Sequence, residues 1–84
     1  MSVRITRAID GQQTVLQVAG RLESADLSEL DKEIRSLDGP LVLDLSELLS
    51  ADEAGIEKLR VLAAGRAELR GASHYVQMLL AMKS

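Results

Sequence analysis

The first nineteen residues alternate before they do anything else. Val3, Ile5 and Ile9 fall in a run of period-two character, Asp10-Gly11 follows, and "QQTVLQVAG" resumes with β-branched residues. Two extended runs around Asp-Gly predict a hairpin, because both residues tolerate the positive φ of a tight primed turn. Strands are expected at 3–9 and 13–19. The period then changes. Leu27, Leu30, Ile34 and Leu37 recur at three- and four-residue intervals, which is one apolar stripe on a helix. Ser24 is the expected N-cap, Asp26 and Glu29 suit the positive helix start, and Gly39-Pro40 is the expected stop.

"LVLDLS" (41–46) is nearly continuous aliphatic sequence and predicts a strand buried on both faces. A helix over 53–64 follows, with Ile56, Leu59, Leu62 and Ala63 on one side and Gly65 closing it. "RAELRG" (66–71) predicts a short strand with Ala67 and Leu69 inward. The last segment predicts a helix capped by Ser73 and running to about Lys83. The order β-β-α-β-α-β-α implies a single α/β domain over 1–84, with a mixed, mostly parallel sheet, right-handed crossovers and an N-terminal hairpin.

Composition narrows the function. Eighty-four residues suffice for one domain, and 46% hydrophobic residues suffice for a core, which must be aliphatic because Tyr75 is the only aromatic. Cysteine is absent, which removes disulfides, zinc–thiolate sites and thiol nucleophiles and suits a reducing compartment. A net charge of −3 with scattered Lys and Arg offers no block to neutralise phosphates, so no nucleic-acid partner is expected. Neither a signal-type apolar segment nor a stretch of the ~20 apolar residues of a membrane span is visible, so a cytoplasmic protein is expected.

The chemistry concentrates at "SADEAG" (50–55), where a strand hands over to a helix. Structurally, Ser50-x-x-Glu53 fits a capping box; Asp52 is a competing N-cap; Gly55 suits a place with no room for a Cβ. Functionally, Asp44, Asp52, Glu53 and Glu57 are hard oxygen donors, but their spacing matches no metal loop, so no metal or other cofactor is expected. Paired carboxylates can do acid–base work, yet the chain offers one histidine and no pocket-forming insertion, so no enzyme is expected. Phosphate would be repelled from a helix start that already carries two carboxylates.

"GRL", then "LVLDLSELLSADEAGIEKLRVLAAGRAELRGAS", resembles the STAS domain of anti-sigma-factor antagonists. Asp44, Leu45 and Ser46 match its Asp-Leu-Ser strand end; Asp52, Ala54, Gly55 and Ile56 match its helix-opening motif; Ser73, Val76 and Leu79-Leu80 match the segment after it. The resemblance implies a non-enzymatic protein-interaction module of bacterial regulation. Its partner would be an anti-sigma kinase-like or other regulatory protein, met by Asp44, Ser46, Ser50, Asp52, Glu53, Ala54, Gly55, Lys58 and Arg60. Relatives also serve in nucleotide sensing and lipid transport, which gives the alternative of a small-ligand-binding or accessory subunit.

In the family a phosphorylatable serine commonly follows the motif Asp, and here Glu53 stands there. Glutamate carries about −1 where phosphoserine carries about −1.5 to −2 and cannot be switched. Ser50 is the substitute candidate for modification. Relatives also continue into another strand and helix, so the resemblance implies a form shortened at the C-terminus. The last helix carries Tyr75, Val76, Met78, Leu79, Leu80 and Met82 over well beyond the ~100° stripe a surface helix needs. Either the N-terminal strand covers it, or it meets a partner or a second copy, so self-association or obligate partnering is expected. His74 is expected to be an exposed polar residue.

Overall fold

The computed structural model describes residues 3–82. Five strands and three helices follow in the order β1 (Val3–Asp10), β2 (Gln13–Leu22), α1 (Leu27–Arg35), β3 (Leu41–Asp44), β4 (Leu48–Ala51), α2 (Glu53–Gly65), β5 (Glu68–Arg70) and α3 (His74–Ala81). β1 and β2 are antiparallel; β2–β3, β2–β4 and β3–β5 are parallel, so the sheet is mixed and mostly parallel as expected. Its order is β1-β2-β3-β5, with β4 beside the far end of β2.

The hairpin closes one residue later than "DG" suggests. Asp10 pairs with Gln13, leaving Gly11-Gln12 as the loop. Gly11 takes φ +65° while Gln12, like every non-glycine among the described residues, does not have positive φ, as a type II′ turn requires.

Two boundaries differ from those the sequence predicts. The first helix is not capped by Ser24: a 3₁₀ turn at Ser24–Asp26 precedes it, and Asp26 accepts from the Glu23 amide at 2.9 Å. α1 also ends at Arg35, well before Gly39, which sits in the following turn with φ +82°. The second concerns "LVLDLS". β3 stops at Asp44 because its carboxylate accepts from the Ser46 amide at 2.9 Å, closing an Asx turn that takes the chain out of the ladder. The chain then rejoins β2 as β4, a strand absent from the expected order. Gln17 faces Asp44 and Leu22 faces Ala51, five steps against seven, so the β3–β4 side carries two extra residues. That surplus is taken up by the turn and a bulge beside Gly20-Arg21.

One face of the sheet holds the core. Leu16, Val18, Leu22, Leu41 and Leu43 form a single cluster with Leu30 and Ile34 of α1, Ile56, Leu59 and Leu62 of α2, and Val76 of α3. All three helices therefore lie on that face, while alternate residues such as Val15, Gln17, Val42 and Asp44 turn to the other. Val42 is buried there without belonging to the helix-side cluster, so β3 is buried on both faces although helices cover one. Ala63, expected on the buried side of α2, is exposed.

Candidate functional site

The corner where β4 meets α2 is built around the carboxylate of Asp52. Its backbone is extended (φ −79°, ψ −179°), as an N-cap requires, and its Oδ1 accepts from the Gly55 amide at 2.8 Å. Its Oδ2 accepts from the Ser24 amide at 2.9 Å, in the turn before α1. The Asp52 amide donates to the Leu22 carbonyl at 3.0 Å. One residue thus joins the end of β2, the start of the α1 segment and the start of α2. Gly55 is fixed by crowding: a Cβ there would lie 2.6 Å from the Leu22 carbonyl oxygen and 3.2 Å from the Ala51 Cβ. Ser50 does not cap α2. It lies half-buried inside β4, opposite Arg21.

Asp52 is exposed, but its two oxygens are taken by the Gly55 and Ser24 amides, and Gly55 is buried; beside them Glu53 and Glu57 are the acidic side chains that α2 presents outward. Both are exposed and stand four residues apart on one helix face. They border a groove of about 650 Å³ lined by Ala51, Ala54, Ile56, Arg60, Leu79 and Met82. Arg60 builds this groove by joining its walls: its Nε donates to the Leu80 carbonyl at 2.9 Å and its Nη2 to the Leu79 carbonyl at 3.2 Å. These are carbonyls of the last turn of α3, where a cation also favours the helix dipole. Nη1 of the same guanidinium donates to Glu57 at 3.2 Å.

The remaining expected site residues lie elsewhere. Lys58 pairs with Asp31 of α1, on another side of α2. Asp44 and Ser46 form the turn after β3, five residues back along β2 from Ala51, a backbone distance of about 16 Å. The Ser46 amide and hydroxyl, bonding to Asp44, hold its carboxyl below the ordinary range, and Arg70 adds to the effect. Gly71, at φ +76°, passes so close that a Cβ would lie 3.2 Å from Asp44 Oδ1. The expected set therefore divides: Asp44 and Ser46 form a turn, Asp52 to Gly55 and Arg60 form a corner with a groove, Ser50 lies within β4, and Lys58 faces α1.

α3 supplies the part that sequence left open. Ser73 caps it, accepting from the Val76 amide at 3.1 Å. Val76 is fully buried, Leu79 and Leu80 are half-buried, and Tyr75, Met78 and Met82 are 55%, 54% and 62% exposed. The N-terminal strand does not cover this helix: α3 packs on α2 and β4, whereas β1 pairs with β2 on the opposite side. Lys83, the expected helix end, lies outside the described residues; α3 ends at Ala81. His74 is exposed. Among the described residues no cluster of three or more His, Cys, Asp or Glu is placed to hold a metal ion, and no helix is long and apolar enough to cross a membrane.

No protein-family model and no curated protein sequence matches the chain. Structure gives a match where sequence does not. The chain superposes, with a TM-score of 0.58 and 18% identity, on a solved structure described as an antisigma-factor antagonist, STAS domain, from Rhodobacter sphaeroides. The match covers 86% of this chain and 92% of that one. The fold is that of a STAS domain.

Proposed function

We propose that this domain is a non-enzymatic protein-interaction module of bacterial regulation, acting as an anti-sigma-factor antagonist does but without a phosphoserine at the start of α2. The observation that carries this reading is the groove between α2 and α3. Its floor is aliphatic (Ala54, Ile56, Leu79, Met82), its rim carries the outward carboxylates Glu53 and Glu57, and Met82 gives one wall an adaptable side chain. Such a surface suits a protein segment with apolar anchors flanked by Lys or Arg. Position 53 holds a permanent carboxylate, so the docking state is set by which partner is present rather than by phosphate on this residue.

The test starts from affinity capture in lysate and continues with the purified partner. Reversing the rim charge in Glu53→Lys is expected to weaken binding about tenfold or more, equivalent to about 1.4 kcal/mol. Glu53→Ser, incubated with a cognate kinase, should become switchable. Binding that is unchanged in both variants removes this corner as the docking surface. The aliphatic floor also favours a second reading, a small-ligand-binding or accessory subunit, since the groove has the size of a ligand site. Thermal-shift screening with nucleotides and lipids separates the two readings: stabilisation lost in Met82→Glu and kept in Glu53→Lys supports the second.

A further inference from the structure

β1 is the end strand of the sheet, so one side of Val3–Asp10 has no strand neighbour among the described residues. Eight residues is long for an open edge. Its hydrogen-bonding pattern follows from the hairpin. A two-residue loop makes Asp10–Gln13 a hydrogen-bonded pair, and alternation from there turns the N–H and C=O of Ala8, Thr6 and Arg4 toward β2. The backbone groups of Val3, Ile5, Arg7 and Ile9 therefore point outward. The same four residues carry their side chains on the helix-bearing face, where Ile9 is 69% exposed.

We infer that this edge pairs with the β1 edge of a second copy of the chain, antiparallel and centred on Arg7, to make one continuous sheet. The occupant is chosen by the edge itself. Only registers centred on a residue set outward groups of one copy against outward groups of the other. Centring on Thr6 puts Ile5 against Arg7 and Arg4 against Ala8; centring on Ala8 puts Arg7 against Ile9. Centring on Arg7 puts Arg4 against Asp10 twice, Ile5 against Ile9 twice, and Thr6 against Ala8 twice. It pairs opposite charges on the open face and aliphatic side chains on the helix face, as favourable cross-strand pairs require. The two Arg7 residues then meet at the dyad. Each brings its own counter-charge, since the guanidinium donates to Glu33 at 2.7 Å and to the Ser36 hydroxyl at 3.1 Å. The assembly is isologous and closed, with the helices of both copies on one side. The α2–α3 groove lies across β2 from this edge and stays open, so the pair presents two docking grooves.

Sedimentation velocity over the micromolar-to-millimolar range tests this. Wild type is expected to pass from monomer to dimer as concentration rises. Ile9→Pro removes an outward N–H and no bond to β2, so it should keep its circular-dichroism spectrum and sediment as a monomer. Arg4→Asp should weaken dimerisation tenfold or more, and Arg4→Asp/Asp10→Arg should restore it to within a few-fold. If Ile9→Pro fails to fold, the charge-swap pair decides alone. A wild type that is monomeric throughout, a swap that does not restore association, or a dimer abolished by Met78→Glu but not by Arg4→Asp would overturn the inference.

Discussion

Asp52→Ala removes two acceptors at once, one at each carboxylate oxygen. The Oδ1 bond to the Gly55 amide is an N-cap, whose loss to alanine costs about 1 kcal/mol within a range of about 0.5–2. The Oδ2 bond to the Ser24 amide ties a second segment and, as a charge-assisted bond at an exposed position, contributes about 1 kcal/mol more. A total of about 2–3 kcal/mol is a large share of the roughly 4–13 kcal/mol available to a chain this size. At about 4–8 °C per kcal/mol, Tm should fall by about 10–20 °C.

The two bonds can be separated. Asp52→Ser keeps a cap but cannot reach Ser24, so it should cost about half as much. Ser24→Pro deletes only the second donor. Proline is tolerated at the first position of a helical turn, and Glu23 before it is already extended, with φ −122° and ψ 168°. In the Ser24→Pro background, Asp52→Ala should then cost only the cap, about 1 kcal/mol, a non-additivity readable in a double-mutant cycle. Urea unfolding followed by circular dichroism gives the numbers, with an unchanged m-value as the check that only stability moved. If Asp52→Ala costs under about 0.5 kcal/mol, the range of an uninvolved surface site, the carboxylate is no clamp and the reasoning fails.

Gly55→Ala should destabilise by about 1–3 kcal/mol although alanine is the better helix former, because the new methyl meets the Leu22 carbonyl at 2.6 Å and backbone must yield; a stabilised variant would contradict that geometry. Arg60→Met keeps the aliphatic stem and loses both bonds to α3, so unfolding should become easier by about 1–2 kcal/mol and amide exchange should rise first in the last turn of α3. Arg60→Lys should not rescue it, since one ammonium cannot reproduce the two-nitrogen fork. Asp44 has a lowered folded-state pKa, so its contribution is complete above the ordinary carboxylate value and lost as pH falls through the lower, folded one. The stability gap between wild type and Asp44→Asn, measured by thermal unfolding, should therefore be constant near neutrality and close in acid; a gap that widens on acidification would reverse the assigned sign.

Most elements were legible because their signals are local. Period two gave β1 and β2, period three to four gave α1 and α2, and Ser73 gave the start of α3. β4 was not legible. Leu48 is buried and Leu49 is 70% exposed, and Ser50 to Glu53 imitates a capping box, so "ELLSADE" reads as a turn entering a helix. What makes it a strand is pairing with Gly20–Leu22, 28 to 29 residues back, which no window contains. The cap moved for the same reason. Asp52 outcompetes Ser50 because the β4 ladder holds Ser50 while Asp52 is the first residue past it. The groove was half legible: Glu53 and the apolar excess of α3 were visible separately, but their meeting depends on α3 packing on α2 and on Arg60, whose partners on α3 are backbone carbonyls with no sequence signal.

The corner also explains why a motif at this place reports fold more firmly than activity. Asp52 spends both oxygens, and its amide, on joining three segments, and Gly55 is a glycine because the Leu22 carbonyl occupies the space. Those constraints hold whatever the domain binds. Glu53, between them, has an exposed side chain and owes nothing to that joint, so a serine, a phosphoserine or a glutamate fits there without disturbing the fold. A rigid frame of Asp52 and Gly55 thus presents a position at which charge can change at little structural cost. On the proposed reading, that charge would be read by the surface around the groove, and residues 53, 57 and 82, rather than the matched motif, would select the partner.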